Sequence, residues 1–433
     1  MLKKGSYRPL FLLVLIGLHV LGFIKQTVET NAFTLDSDDY INLAENLKDY
    51  QLPYSGTITE YANLEDLPNK GLFASRPILY SVFIWLTGGL SISILLTLLI
   101  QNLLSIFSIL CIEKLILAHG FKIHYAIATI GLLLFPTLWI YANWIMAETL
   151  FMFCLSLCIY FFAKPKPAYL LSTLFLCLAL YTKPAVVFIL FLWLIGFTWH
   201  YFKTRKPKII AVAILPMLLL GVQIIANFTY TQAPIISSMP GINLVQYNAY
   251  FTLCKTKNAH EASEWVSKID LEGAELEKEI GFKTAYNYKK NQATQIIKSN
   301  LSTYLSIHTQ GSLRWFIDPG RFDLLNFFTI YNEDGNQGWT RTYYQKGLSG
   351  LWERAKQENI ILLALILLIL IWNLTRIILL TKNLPILLRK KPLALLFLFL
   401  LVYFAGISGP VSTARFLMPV FPVILFWSSL KKK

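Results

Sequence analysis

Several charged residues stand where an apolar stretch begins or ends, and each has side-chain chemistry suited to a reactive site. The first is an acidic cluster, Asp36, Asp38 and Asp39, followed directly by Tyr40. A carboxylate beside a membrane can serve as a general base or hold a metal ion. It can also simply cap the free amides of a helix start. Next is Arg76-Pro77, at the entry to an apolar stretch. A guanidinium there suits a phosphate group, or it reaches up to lipid headgroups. Glu148 opens another apolar run, and acidic residues inside or bordering such runs are costly to keep. Lys183-Pro184 and Arg415 in ARFLMPVFP complete the set. Taken together, Asp36 and Glu148 with Arg76, Lys183 and Arg415 suit the binding of an anionic lipid headgroup, because a desolvated phosphate needs charge-assisted donors.

The elements that must position these residues are apolar helices. The chain has 433 residues, 55% hydrophobic and 15% charged, well below the roughly 25% charged residues of soluble domains. Apolar runs at about 9–25, 90–113, 124–141, 145–163, 168–182, 184–202, 209–229, 359–380, 392–408 and 415–430 predict ten membrane crossings. The first run follows a basic start and is not followed by a small-residue cleavage site, so it reads as a retained helix. The net charge of +15 does not point to nucleic acid, because the lysines and arginines gather in short loops between apolar runs. That pattern puts Lys164, Lys166, Lys203, Arg205, Arg389 and both termini in the cytoplasm. Segments 25–77 and 230–358 then fall on the outer side of the plasma (inner) membrane. The chain divides accordingly into 1–229, a membrane module with its first outer loop; 230–358, a large outer segment; and 359–433, the C-terminal membrane helices.

Within the first outer segment, Tyr40, Leu43, Ala44 and Leu47 recur at helical spacing behind the acidic cluster. They predict a surface helix with one apolar face. Ile78 to Leu86 predicts a second. In the large segment, Ala259 to Lys278 and 284–310 read as helices, and 312–345 as aromatic and irregular. Trp315, Phe316, Trp339, Tyr343 and Tyr344 suit either sugar stacking or an interfacial aromatic belt. The five cysteines have neither disulfide nor metal spacing.

The order of these motifs resembles the GT-C superfamily of polytopic glycosyltransferases, closest to the branch of the lipid A aminoarabinose transferase and the protein O-mannosyltransferases. The match runs through DSDDYINLAENL, where Asp36 lies four residues before Tyr40, then SRPILYSVF with Arg76, MAETLF with Glu148, Thr182-Lys183, and ARFLMPVFP with Arg415. It covers most of 1–229 and 392–430 and is thin over 230–358. The resemblance implies an all-α, GT-C-like helical bundle of about ten transmembrane helices, with surface helices and a mainly helical outer domain. It implies transfer of a sugar from a polyprenyl-phosphate donor to a lipid, glycan or protein acceptor by inverting single displacement. Asp36 and Glu148 would be the catalytic pair. Arg76, Lys183 and Arg415 would bind the donor phosphate, with Asp39 and Tyr40 as further candidates. A divalent metal ion is compatible with the family, although Ser75 stands where some relatives carry a metal-holding carboxylate. A lipid-linked-glycan flippase and a polysaccharide polymerase or ligase are the alternatives. The flippase would favour charges near the bilayer midplane and repeated halves. The polymerase or ligase would rely on Arg314, Arg321 and Arg341 of the large segment.

Overall fold

The apolar runs fold as helices almost throughout. The computed structural model of the protein describes residues 7–29, 32–58, 67, 69–88, 94–329 and 339–431. Among them, five helical stretches are long and apolar enough to cross a membrane: Arg8–Glu29, Ile94–Ala118, Pro184–Thr204, Lys208–Thr231 and Ile360–Val411. Shorter apolar helices run over Glu148–Ala163, Tyr169–Thr182 and Ala414–Ser428.

In chain order, α1 (Arg8–Glu29) leads through an extended link to α2 (Ser37–Asp49). A short 3-10 turn, Lys70–Ala74, precedes α3 (Ile78–Leu86), which is followed by α4 (Ile94–Ala118). Helices therefore form at both places where the sequence predicts them in the first segment. The run 124–141 is broken into α5 (Tyr125–Leu133) and α6 (Thr137–Tyr141). Pro136 sits at the break, where its missing N–H and fixed ring prevent a continuous helix. Next come α7 (Glu148–Ala163), α8 (Tyr169–Thr182), α9 (Val187–Thr204) and α10 (Lys208–Thr231).

The described residues of 230–358 are largely helical as well: α11 (Met239–Asn243), α12 (Tyr250–Thr256), α13 (Ala259–Glu279), α14 (Phe282–Ser299), α15 (Leu301–Ile317), α16 (Arg321–Phe327) and α17 (Trp339–Gln357). The stretch expected to be irregular thus contains the end of α15, all of α16 and the start of α17, a helix that bends farther on at Gly347. The chain then returns through α18 (Ile360–Leu387) and α19 (Lys391–Ser408). The last apolar run begins as a 3-10 turn over Ala414–Val420 and becomes α20 (Phe421–Ser428). Pro419 lies inside that turn, where a longer α-helix would lose a backbone hydrogen bond.

The main core joins the N- and C-terminal modules. Phe11 of α1, Leu98 and Ile112 of α4, Leu132 of α5, Phe397 of α19, and Phe421 and Phe426 are all fully buried in it. Phe135 stacks on Phe421 at 4.0 Å between ring centres. At the opposite end from Glu148, β1 (Lys122–Ile123) pairs antiparallel with β2 (Leu430–Lys431). Arg8 closes the same end by a two-point contact with the buried Glu113, at 2.7 and 3.1 Å.

Candidate functional site

A network of backbone ties fixes the loop that carries Asp36. Ile145 donates its N–H to Ala32 O at 2.9 Å, and the Ser37 hydroxyl donates to Ile145 O at 2.9 Å. Thr34 N–H donates to Ser37 Oγ at 2.8 Å. The α1–α2 link is thereby strapped to the residues just before α7. From below, Gln101 of α4 donates to Trp144 O at 2.8 Å, and Asn102 donates to Asn143 Oδ1 at 2.8 Å. Tyr80 of α3 donates to Gln101 Oε1 and meets the ring of Tyr40 edge-on at 4.9 Å. These buried amides satisfy loop carbonyls that would otherwise be costly to bury.

On this frame the predicted residues converge. Asp36 occupies the N-cap position of α2, but its side chain makes no capping hydrogen bond. It turns instead to two guanidiniums. Arg76 Nη2 lies 2.8 Å from Asp36 Oδ1, and Arg76 Nε lies 2.9 Å from Asp39 Oδ2. Arg415 Nη1 lies 3.1 Å from Asp36 Oδ2. The Arg76 guanidinium also sits 5.1 Å from the centre of the Tyr40 ring, a cation–π contact. Beside this group, Lys183 Nζ contacts Glu148 Oε1 at 2.5 Å. The two groups act on one another through charge: Glu148 acts on Arg415 and Tyr40, and Lys183 feels Arg415 and Asp36. Asp36, Asp39, Tyr40, Arg76, Glu148, Lys183 and Arg415 therefore fall in one charged cluster, whereas Asp38 makes no ion pair in it.

The electrostatics distinguish the two acids. Burial pushes the Asp36 carboxyl up, but Arg415 and Arg76 together outweigh it and bring the group down to about 2. Burial raises Asp39, and Arg76 only partly offsets that. Burial also raises the Tyr40 phenol, so it stays neutral.

A second acidic pair, not anticipated from the sequence, lies behind Arg415. Asp318 Oδ2 accepts the N–H of Ala414 at 2.8 Å and so fixes the residue before Arg415. Asp323, buried, accepts hydrogen bonds from Thr137 at 3.0 Å and Tyr141 at 3.1 Å, both on α6. Burial and the neighbouring Asp318 push Asp323 up to about 7, against Thr137, Tyr141 and Arg415. Gly320 between the two acids has φ +70, and a Cβ there would lie 2.9 Å from Thr137 Oγ1.

The large segment is fastened to the C-terminal helices at several points. Arg314 donates to Ser412 O at 3.1 Å and to Pro410 O at 2.8 Å. Asn373 and Arg376, both buried on α18, donate to the carbonyls of Ile317, Asp318 and Phe316 at the end of α15. A cation on the free carbonyls of a helix end is favourable. Arg376 carried a sequence signal, an arginine inside an apolar run, and the structure explains it as a cap on α15. Arg321 pairs with the buried Glu358, and Arg341 lies over the Tyr250 ring at 5.2 Å. The large-segment arginines thus hold the fold together. Trp315 and Tyr344 are buried in it, and Tyr344 packs on Phe251 at 4.6 Å, which removes these two from the sugar-stacking candidates.

The donor set does not form a divalent-ion cage. Asp36, Asp39 and Glu148 each face a guanidinium or an ammonium, and no group of three or more His, Cys, Asp and Glu side chains converges among the described residues. Compared with known proteins, the chain matches no family model, no curated protein and no solved structure.

Proposed function

We propose that the protein is a polytopic membrane glycosyltransferase that moves a sugar from a polyprenyl-phosphate donor to a lipid, glycan or protein hydroxyl on the outer face of the plasma membrane. The observation that carries this reading is the position of Asp36 between Arg76 and Arg415, beside the Glu148–Lys183 pair. In this reading the GT-C-like bundle crosses the bilayer ten times with both termini in the cytoplasm. The cluster then lies at the outer membrane boundary, where Glu148 opens α7, Lys183 follows α8 and Arg415 precedes α20.

The reaction needs a base for the acceptor and cations for the leaving group. The acceptor oxygen attacks the anomeric carbon from the face opposite the phosphate, forming the new glycosidic bond. The bond from that carbon to the phosphate oxygen breaks, and the polyprenyl phosphate leaves with the electron pair. The acceptor proton passes to the Asp36 carboxylate. Arg415, Lys183 and Arg76 supply positive charge where the phosphate gains negative charge, a kind of stabilisation often worth about 3–4 kcal/mol per donor. Glu148 holds Lys183 in place and has a second oxygen, Oε2, with no hydrogen-bond partner among the described residues. That oxygen is buried, so the role of Glu148 in this reading is to position Lys183. No step is routed through a metal ion. The flippase reading has no comparable use for a carboxylate held between two guanidiniums.

The test is mass spectrometry of cell-envelope glycans with and without the gene. A sugar-bearing species should vanish on deletion, return with the wild-type gene and stay absent with Asp36→Asn. An identical glycan profile in all three strains would overturn the proposal.

A further inference from the structure

We propose that Arg415 is the exchangeable cation of the cluster: the phosphate headgroup of a lipid takes it from Asp36 while Arg76 stays clamped, so Asp36 becomes a usable base only after the phosphate arrives. This rests on the phosphate-lipid reading above and adds an order of binding to it.

The argument starts from charge balance. The cluster holds three carboxylates, Asp36, Asp39 and Glu148, and three cations, Arg76, Lys183 and Arg415, and each cation is paired with a carboxylate. No spare cation waits among these six for an anion. A phosphate must therefore displace a carboxylate from one of them, and the weakest attachment yields first. Arg76 bridges two carboxylates at 2.8 and 2.9 Å, lies on the Tyr40 ring, and its side chain is 12% exposed. Lys183 is held by Glu148, whose side chain is 2% exposed and could not be left charged and unpaired without large cost. Arg415 has one carboxylate partner, at 3.1 Å, and the two side chains are 30% and 28% exposed.

The backbone around Arg415 favours a swing of the side chain alone. Ala414 N–H is pinned by Asp318, and Phe416 N–H by Thr413 O at 3.0 Å. The guanidinium lies over the Phe416 ring at 5.0 Å, and a long flexible stem connects it to this fixed turn. The exchange also removes a chemical difficulty. A carboxylate brought down to about 2 by two guanidiniums is a poor proton acceptor. Loss of Arg415 frees Oδ2 and raises the basicity of the group, while Arg76 keeps Oδ1 oriented. The donor thereby activates the base that attacks it, and an acceptor that arrives first meets an occupied carboxylate.

The test uses the full-length protein in nanodiscs, with dodecyl phosphate and inorganic phosphate as probes. Asp36→Asn should bind dodecyl phosphate about tenfold more tightly than wild type, because a charge-assisted competitor is gone. Asp39→Asn removes an equal charge that pairs only with Arg76, and it should change affinity less than threefold. Equal tightening in both variants means a general field effect and overturns the exchange, while the lipid-phosphate reading stands. Infrared difference spectra of the wild type give an independent check: dodecyl phosphate should shift a carboxylate band that Asp36→Asn lacks, and an unshifted band overturns the exchange. Wild type that binds neither probe overturns both readings. Equal affinity for inorganic and dodecyl phosphate keeps the exchange and overturns the lipid as ligand.

Discussion

The ammonium of Lys183, directly after α8, lies 2.5 Å from Oε1 of Glu148, the first residue of α7, so one ion pair ties two neighbouring apolar helices together at one end. Glu148 is buried, and removing its charge leaves a largely buried ammonium without a partner. Glu148→Gln should cost about 3–5 kcal/mol of stability, seen as a lower melting temperature in detergent. The double change Glu148→Gln with Lys183→Met should recover part of that loss, with sugar transfer still absent. A double variant no more stable than the single one would count against the pair as the cause.

Asp36→Asn should lower sugar transfer by about 100-fold or more, the range expected when a general base is removed. Expression and membrane insertion should be unchanged, because the backbone ties of residues 32–37 involve Ser37, Thr34 and Ile145 and not the Asp36 carboxylate. Full activity in purified Asp36→Asn protein would remove this residue from the chemistry.

Asp323 and Asp36 predict opposite pH dependences. Asp323 is raised from its ordinary 3.8 to about 7. The unfolded chain therefore loses that proton first, and the Asp323 contribution to stability falls as pH rises from about 4 to 7. Asp36 is lowered to about 2, so its contribution is present above about 4 and lost as pH falls toward 2. Melting temperatures between pH 5 and 8 isolate the first effect. The wild type should lose stability toward pH 8, and Asp323→Asn should flatten that slope. An unchanged slope in the variant would mean that Asp323 is ionised throughout the range.

The helix α15 crosses the turn at Gly409 with almost no room. A Cβ on Gly311 would lie 2.0 Å from the carbonyl oxygen of Gly409. Gly311→Ala should cost about 1–3 kcal/mol through forced separation. Gly221→Ala on α10, where a Cβ meets nothing within 4 Å, is the control and should be neutral or slightly stabilising. Thermal melts of the two variants make the comparison.

The proposed orientation places exposed Ser267 on α13 outside the cell and exposed Lys166 inside. A membrane-impermeant maleimide should label Ser267→Cys in intact cells, and Lys166→Cys only after permeabilisation. The reverse pattern would invert the topology.

Much of the helical fold could be read in advance, because apolar runs and helical spacing are local signals. The α2 face of Tyr40, Leu43 and Ala44 was evident from spacing and is buried in the structure. The charged site residues were also visible one by one, as isolated ions at the ends of greasy stretches. Their pairing was not legible: Asp36 and Arg415 are 379 positions apart, and no local pattern encodes that contact. The turn carrying Asp318 and Asp323 was missed because DPGRFD reads as an ordinary surface turn, and only its burial against α6 makes the acids unusual. The breaks at Pro136 and Pro419 blurred two helices that composition alone drew as continuous.

The caps on α15 have a consequence for how the protein is made. The carbonyls of Phe316, Ile317 and Asp318 find their donors on residues 55 to 60 positions later, and Asp36 waits for almost the whole chain before Arg415 emerges. During synthesis these three carbonyls lack their donors until α18 has been made. A ribosome stalled before that point would carry a half-built pocket with Arg76 alone facing Asp36 and Asp39. Under the proposed function, competence for the donor would then appear only once Arg415 has been made and reaches Asp36.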